Sequence, residues 1–171
     1  MKNLKIIFLF LIVVVINACT KEVAKNDATN GDDAVKSLVF DHAKAWEAGD
    51  YKLLDSILHD EIIFAYPGRR LNKKETLQDF LDFNKAFKDT KIYINKVIID
   101  NDSFAVEWQF ASTNIKAGNR TSVSDAIMGK VKDGKIIVWK EYLDGRVSRM
   151  QIAGNLSLEE GKEPFPWPNK K

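Results

Sequence analysis

Few residue types in this 171-residue chain can carry reactive chemistry, and the ones that are scarce set the first limits. There is one cysteine, Cys19, and the two histidines, His42 and His59, stand apart with no HExxH or comparable spacing. A transition-metal site and a thiol nucleophile within the folded part are therefore not expected. No glycine-rich phosphate loop and no serine in a nucleophile-elbow pattern is present, so no cofactor is implied. Carboxylates and phenols remain. Phe104, Val106, Trp108 and Phe110 fall on one face of a strand, with Glu107 and Gln109 on the other, so the aromatic face is interior. In the next run Val123, Asp125 and Ile127 share a face, which sets a carboxylate among apolar neighbours. In the last, Val138, Lys140, Tyr142 and Asp144 alternate with Trp139, Glu141 and Leu143, and periodicity alone does not choose between the two faces. His42 lies beside the apolar stripe of a helix, four residues before Trp46, within reach of a pocket. Tyr66, just before Pro67, can donate a hydrogen bond from a pocket wall but is a poor base at neutral pH.

These side chains need elements to hold them. Val35, Leu38, Val39, Ala43 and Trp46 recur at helical spacing and Gly49 stops the run. Asp50 caps a second, shorter helix through Leu58. Asn72 followed by Glu75 is a capping-box pattern that opens a third helix, with Leu77, Phe80, Leu81 and Phe87 on one side. A short strand, Ile62 to Tyr66, lies between the second and third helices. Beyond Phe87 come four β-branched and aromatic runs, Ile92 to Asp100, Phe104 to Asn114, Thr121 to Lys132 and Lys135 to Asp144. The Asp133-Gly134 separator predicts a type I′ hairpin, because that turn needs positive φ at both central residues. Helices first and an antiparallel meander afterwards describe an α+β domain over residues 34–154.

Flanking segments read differently. Lys2 and Lys5 precede about eleven apolar residues, Ile6 to Ile16, too few for a hydrocarbon core that needs roughly 20. Residues 1–18 are thus expected to be an export signal, and the polar stretch 19–33 a flexible tether. With Lys2 and Lys5 removed, 24 basic side chains balance 24 acidic ones. That balance, with only the short pairs Arg69-Arg70 and Lys73-Lys74 as basic patches, argues against a nucleic-acid partner. In the tail, 155–171, Pro164-Phe165-Pro166-Trp167-Pro168 favours an extended, polyproline-like backbone.

Two resemblances add to this reading. Ile16-Asn17-Ala18-Cys19 resembles the lipobox of bacterial lipoproteins, which implies lipid on Cys19 and a membrane-anchored place in the cell envelope, at the outer membrane, with the domain outside the cytoplasm. Residues 34–154, above all the run from Gly134 to Asp144 with its GKI, Trp139 and terminal Tyr142-x-Asp144, look like the nuclear transport factor 2-like superfamily in its SnoaL-like branch. The segment Met150 to Gly154 is similar to that family's closing Gln-Leu-Gly. The resemblance implies a cone of three N-terminal helices packed on a curved, mainly antiparallel sheet, a ligand pocket at its mouth, and an inward Tyr142-x-Asp144 pair with Asp144 as acid or base. It also implies sheet-to-sheet homodimers. Trp108-Gln109-Phe110 stands where the epoxide hydrolase branch has Arg-x-Asp, so that chemistry is not expected.

The leading expectation is an envelope lipoprotein that binds a small, largely apolar or aromatic molecule among Tyr66, Trp108, Phe110, Asp125, Tyr142, His42 and Trp46. The alternatives are a cyclase, isomerase or hydratase using Asp144, and a non-catalytic dimeric scaffold. One isolated carboxylate in the pocket favours binding; two that converge favour catalysis.

Overall fold

The computed structural model describes residues 20–156 and 163–164, with side chains described from Gly31 onward. The segment carrying Cys19, and the tail aromatics Phe165 and Trp167, lie outside the described residues. Helix α1 spans Thr20–Ala48, so it begins well before Val35 and takes in the stretch expected to be a tether. That stretch contains no proline, and extending a helix already fixed by packing costs far less than nucleating one. The packed part of α1 is the expected stripe: Val35, Val39, His42, Ala43 and Ala45 are buried.

Gly49, at φ 65°, ends α1, and Asp50 opens α2 (Tyr51–Ile57) by accepting the Leu53 amide at 3.0 Å. Strand β1 (Leu58–Tyr66) starts four residues earlier than expected, and Gly68 turns the chain into a short strand not foreseen, β2 (Arg69–Leu71). Helix α3 (Lys73–Ala86) carries the reciprocal Asn72/Glu75 capping box. The meander follows as β3 (Phe87–Asp100), β4 (Ser103–Asn114), β5 (Arg120–Lys132) and β6 (Lys135–Leu143). Asp133 and Gly134 both have positive φ, as the hairpin expectation requires. A last helix, α4 (Arg146–Ile152), was not expected; Gln151 locks it to β5 by accepting the Ser122 amide at 3.0 Å and donating to the Ser122 carbonyl at 3.1 Å.

The six strands form one sheet in the order β2-β1-β6-β5-β4-β3. All neighbours are antiparallel except β1 and β6, which run parallel and make β6 an interior strand. Register shifts within the β3–β4, β1–β6 and β5–β6 pairs bend and twist the sheet. Its concave side holds the core, where Trp108, Trp139, Phe80, Leu54 and Ile127 are almost fully buried. Each such side chain contributes on the order of 1.5–3 kcal/mol by leaving water. An α+β cone of helices on a curved mixed sheet is the architecture that was expected, with one helix more.

Candidate functional site

Trp139 decides the face of β6. It is fully buried, stacked against His42 at 3.8 Å between ring centroids and tilted on Trp108 at 5.4 Å. With Trp139 inside, alternation along the strand turns Glu141 and Leu143 inward and Lys140 and Tyr142 outward. Both assignments that rested on the opposite face are therefore corrected. Tyr142 is 62% exposed on the outer face of the sheet. Asp144 lies past the end of β6 at the surface, where its carboxylate accepts the Arg146 amide at 3.0 Å and pairs with the Arg146 guanidinium at 2.6 Å. Those contacts hold its pKa down to about 2, the reverse of a poised acid or base. The cause is local: between Val131 and Lys130 of β5 the partner on β6 jumps from Ile136 to Val138, so Ile137 is an extra residue and the alternation shifts phase. Unbroken alternation from Ile136 would put Val138, Tyr142 and Asp144 inside, the face that the resemblance implied; the bulge transfers the inward positions to Trp139 and Glu141.

A cavity of about 280 Å³ opens on the concave side. Six of the expected ligand-facing residues line it: Tyr66 from β1, Trp108 and Phe110 from β4, Asp125 from β5, and His42 and Trp46 from α1. Glu141 and Asp79 also line it, and neither was singled out from the sequence. A signal for each existed. Glu141 follows from burying Trp139, and Asp79 precedes Phe80 on the α3 stripe that continues to Phe83.

Asp125 is 7% exposed and sits opposite Leu143 in the β5–β6 register, while Glu141 sits opposite Ile127. The two carboxylates thus share a face, one diagonal step apart, where Cα atoms of such neighbours lie roughly 7–8 Å apart. Asp125 accepts hydrogen bonds from Trp108 Nε1 at 3.3 Å and from the Tyr142 amide at 3.0 Å. Burial pushes it up to about 6 in spite of them. Glu141 accepts from Trp139 Nε1 at 2.9 Å; burial, and then the charge of Asp125, push it up to about 8. Of the two, Asp125 therefore ionises first and Glu141 holds its proton to higher pH.

At one side of the cavity the Tyr66 hydroxyl donates to Asp79 Oδ2 at 3.0 Å, and Arg69 approaches Asp79 at 3.8 Å. Burial and then Asp79 push Tyr66 up to about 12, so it stays a donor. His42 is buried and held neutral, its pKa lowered by burial to about 3, and its Nε2 accepts from Trp46 Nε1 at 3.3 Å. An imidazole in this state does not exchange protons near neutral pH. Among the described residues no group of three metal-ligating side chains is assembled, and no helix is long and apolar enough to cross a membrane.

Residues 39–139 match the family model of the SnoaL-like domain. No curated protein matches the chain. Among solved structures, an LEH-like epoxide hydrolase from M. tuberculosis superimposes with a TM-score of 0.64 at 17% identity, over 74% of this chain and 93% of the other. A protein from Catenulispora acidiphila with a ketosteroid isomerase-like fold, solved in complex with trimethylamine, gives 0.63 at 13% identity, over 68% and 92%. TsrD from Streptomyces laurentii gives 0.63 at 19% identity, over 72% and 97%. At such identities the likeness concerns the fold.

Proposed function

The chain belongs to the SnoaL-like domain family, and from that premise we propose that it catalyses proton transfer on a small, largely apolar molecule held in the concave cavity. The observation that carries this reading is the Asp125–Glu141 pair: two carboxylates on one face of the cavity, both pushed up by burial and Glu141 the further. Environments that push two acids apart in this way assign base and acid roles. Asp125 takes a proton from carbon next to a carbonyl, and Glu141 gives its proton to the oxygen as negative charge develops there. The enol hydroxyl then returns its proton to Glu141 as the carbonyl re-forms, while Asp125 delivers its proton either to another carbon, which is isomerisation, or to the oxygen of a second carbonyl whose C=O π bond opens as the enol carbon adds to it, which is cyclisation. No oxidant or co-reactant is consumed, which fits isomerisation or cyclisation. The aromatic walls match a compact apolar body, and the volume lies just below the roughly 300–1,000 Å³ usual for ligand pockets.

Solvent deuterium incorporation into a panel of small ketones and enones, neutral and amine-bearing, tests the reading by mass spectrometry. Wild-type protein exchanges the hydrogen next to the carbonyl of at least one compound. Asp125→Asn slows that exchange by about 10²–10⁴-fold, and Asp144→Asn, changed at the surface, leaves it unaltered. Exchange that survives Asp125→Asn, or is absent across the panel, overturns the assignment.

The same reading puts the domain outside the cytoplasm on a lipid carried by Cys19, supported by the lipobox-like Ile16-Asn17-Ala18-Cys19. It also includes a homodimer through the outer sheet face, supported by the exposed side chains of Ile98, Met128 and Tyr142. A monomer by light scattering at micromolar concentration removes the dimer alone.

A further inference from the structure

The cavity is one-sided in charge. Among the described residues Asp79, Asp125 and Glu141 line it, no lysine or arginine does, and its imidazole, His42, is neutral. Of the three, Asp79 alone has a cation nearby among the described residues, Arg69 at 3.8 Å. Asp125 is held by N–H groups alone, from Trp108 and from backbone, and no ion pair among the described residues reaches it or Glu141. A neutral apolar ligand that displaced the water here would leave the Asp125 charge desolvated and uncompensated, which is costly. A ligand that brings a positive charge removes that cost.

The walls suit the same kind of ligand. Trp46 meets Phe83 and Phe110 edge to face at 5.3 and 6.0 Å, and Trp108 stands beside Asp125. Aromatic faces attract a cation whose charge is spread over alkyl groups, and the attraction grows as water is excluded. The imidazole in the wall brings no positive charge of its own. His42 forms part of the wall, is 1% exposed, and its Nδ1 has no hydrogen-bond partner. Trp46 Nε1 can only donate, so Nε2 is the acceptor and the unpartnered atom is an N–H.

We propose that the ligand is a small organic cation, an alkylammonium compound with a nearby hydroxyl or carbonyl oxygen, its charge facing Asp125 and its alkyl shell against Trp46, Trp108 and Phe110. This rests on the reading of the cavity as the substrate site and names the substrate class for it.

The test compares choline with 3,3-dimethylbutan-1-ol, which has the same shape and a carbon in place of the charged nitrogen. Calorimetry on the full chain in detergent, near neutral pH, measures both. Choline is expected to bind at least about tenfold more tightly, and Asp125→Asn is expected to abolish the difference. The wild-type comparison decides the matter even if that variant fails to fold. Equal or tighter binding of the neutral alcohol overturns the cation class while leaving the cavity a ligand site and proton transfer standing. Binding of neither compound also overturns the cation class, and the deuterium-exchange experiment then judges proton transfer separately.

Discussion

Enclosure beside Asp125 raises Glu141 from an ordinary 4.5 to about 8, so the folded protein holds a proton that the unfolded chain has already released over that interval. Asp125 behaves in the same way between 3.8 and about 6. Where the native state binds more protons, stability falls as pH rises, so the contribution is fully present below about pH 4 and is lost through pH 8. Thermal melts of the wild type between pH 5 and 8.5 are expected to show that decline. Glu141→Gln keeps an acceptor for the Trp139 N–H but cannot ionise, so its melts should be flatter and it should exceed the wild type at pH 8.5 by roughly 1–3 kcal/mol. Parallel melting curves for the two proteins would show that Glu141 titrates as it does in water. Asp144 contrasts with it: its pKa is lowered by Arg146 at the surface, and nothing connects it to the cavity.

Between strands, one glycine makes the inward Trp139 feasible. Gly129 lies between Phe104 of β4 and Trp139 of β6 in the register, and the Phe104 ring crosses directly over it. A Cβ at Gly129 would lie only 2.0 Å from the Phe104 ring, too close for any side chain. Phe104 is buried there at 5.7 Å from Trp139, so it has no room to withdraw. Gly129→Ala should therefore destabilise the domain by about 1–3 kcal/mol in a denaturant melt. Combined with Phe104→Leu, the loss should be smaller than the sum of the two single losses, because both changes act on one contact. Strict additivity would place the strain elsewhere. The rim of the cavity is likewise a property of paired elements, since Arg69 of β2 reaches Asp79 of α3 only because β2 folds back on β1 opposite Tyr66.

Across the whole molecule, Glu163 is fastened to two strands of the sheet. Its carboxylate accepts from Tyr93 of β3 at 2.8 Å and takes both Nε and Nη2 of Arg120 on β5, while Arg120 Nη1 donates to the Asp89 carbonyl at 2.6 Å. Bidentate charged pairing of this kind is stronger and more directional than a single contact. Glu163→Gln should release the C-terminal segment and speed its removal by a nonspecific protease, with the remaining domain still resistant; an unchanged cleavage rate would mean that other contacts hold it. At the opposite terminus, Cys19→Ala should shift the protein from the membrane fraction to the released or uncleaved fraction, as measured by fractionation and mass of the N-terminus. A mature, membrane-bound form of that variant would defeat lipid anchoring.

The elements were legible in the sequence because their signals are local. Helical spacing from Val35 to Trp46, the Asn72/Glu75 box and the Asp133-Gly134 turn each depend on residues within a few positions, and each stands in the structure as read. So was the aromatic face of β4 and the inward Asp125, since their strands alternate without interruption up to the cavity. The partner of Asp125 was legible only as one of two alternating faces. Choosing Glu141 over Tyr142 and Asp144 required the face of Trp139, which is set by the bulge at Ile137, and a bulge exists only in relation to the neighbouring strand that β6 pairs with. The parallel β1–β6 pairing and the Tyr66–Asp79 contact join residues far apart in the chain, and no periodicity within either segment records them. Residue types and local geometry were settled by the sequence itself; which carboxylates share one desolvated space was decided by strand pairing, because proximity across a sheet is set by register rather than by distance along the chain.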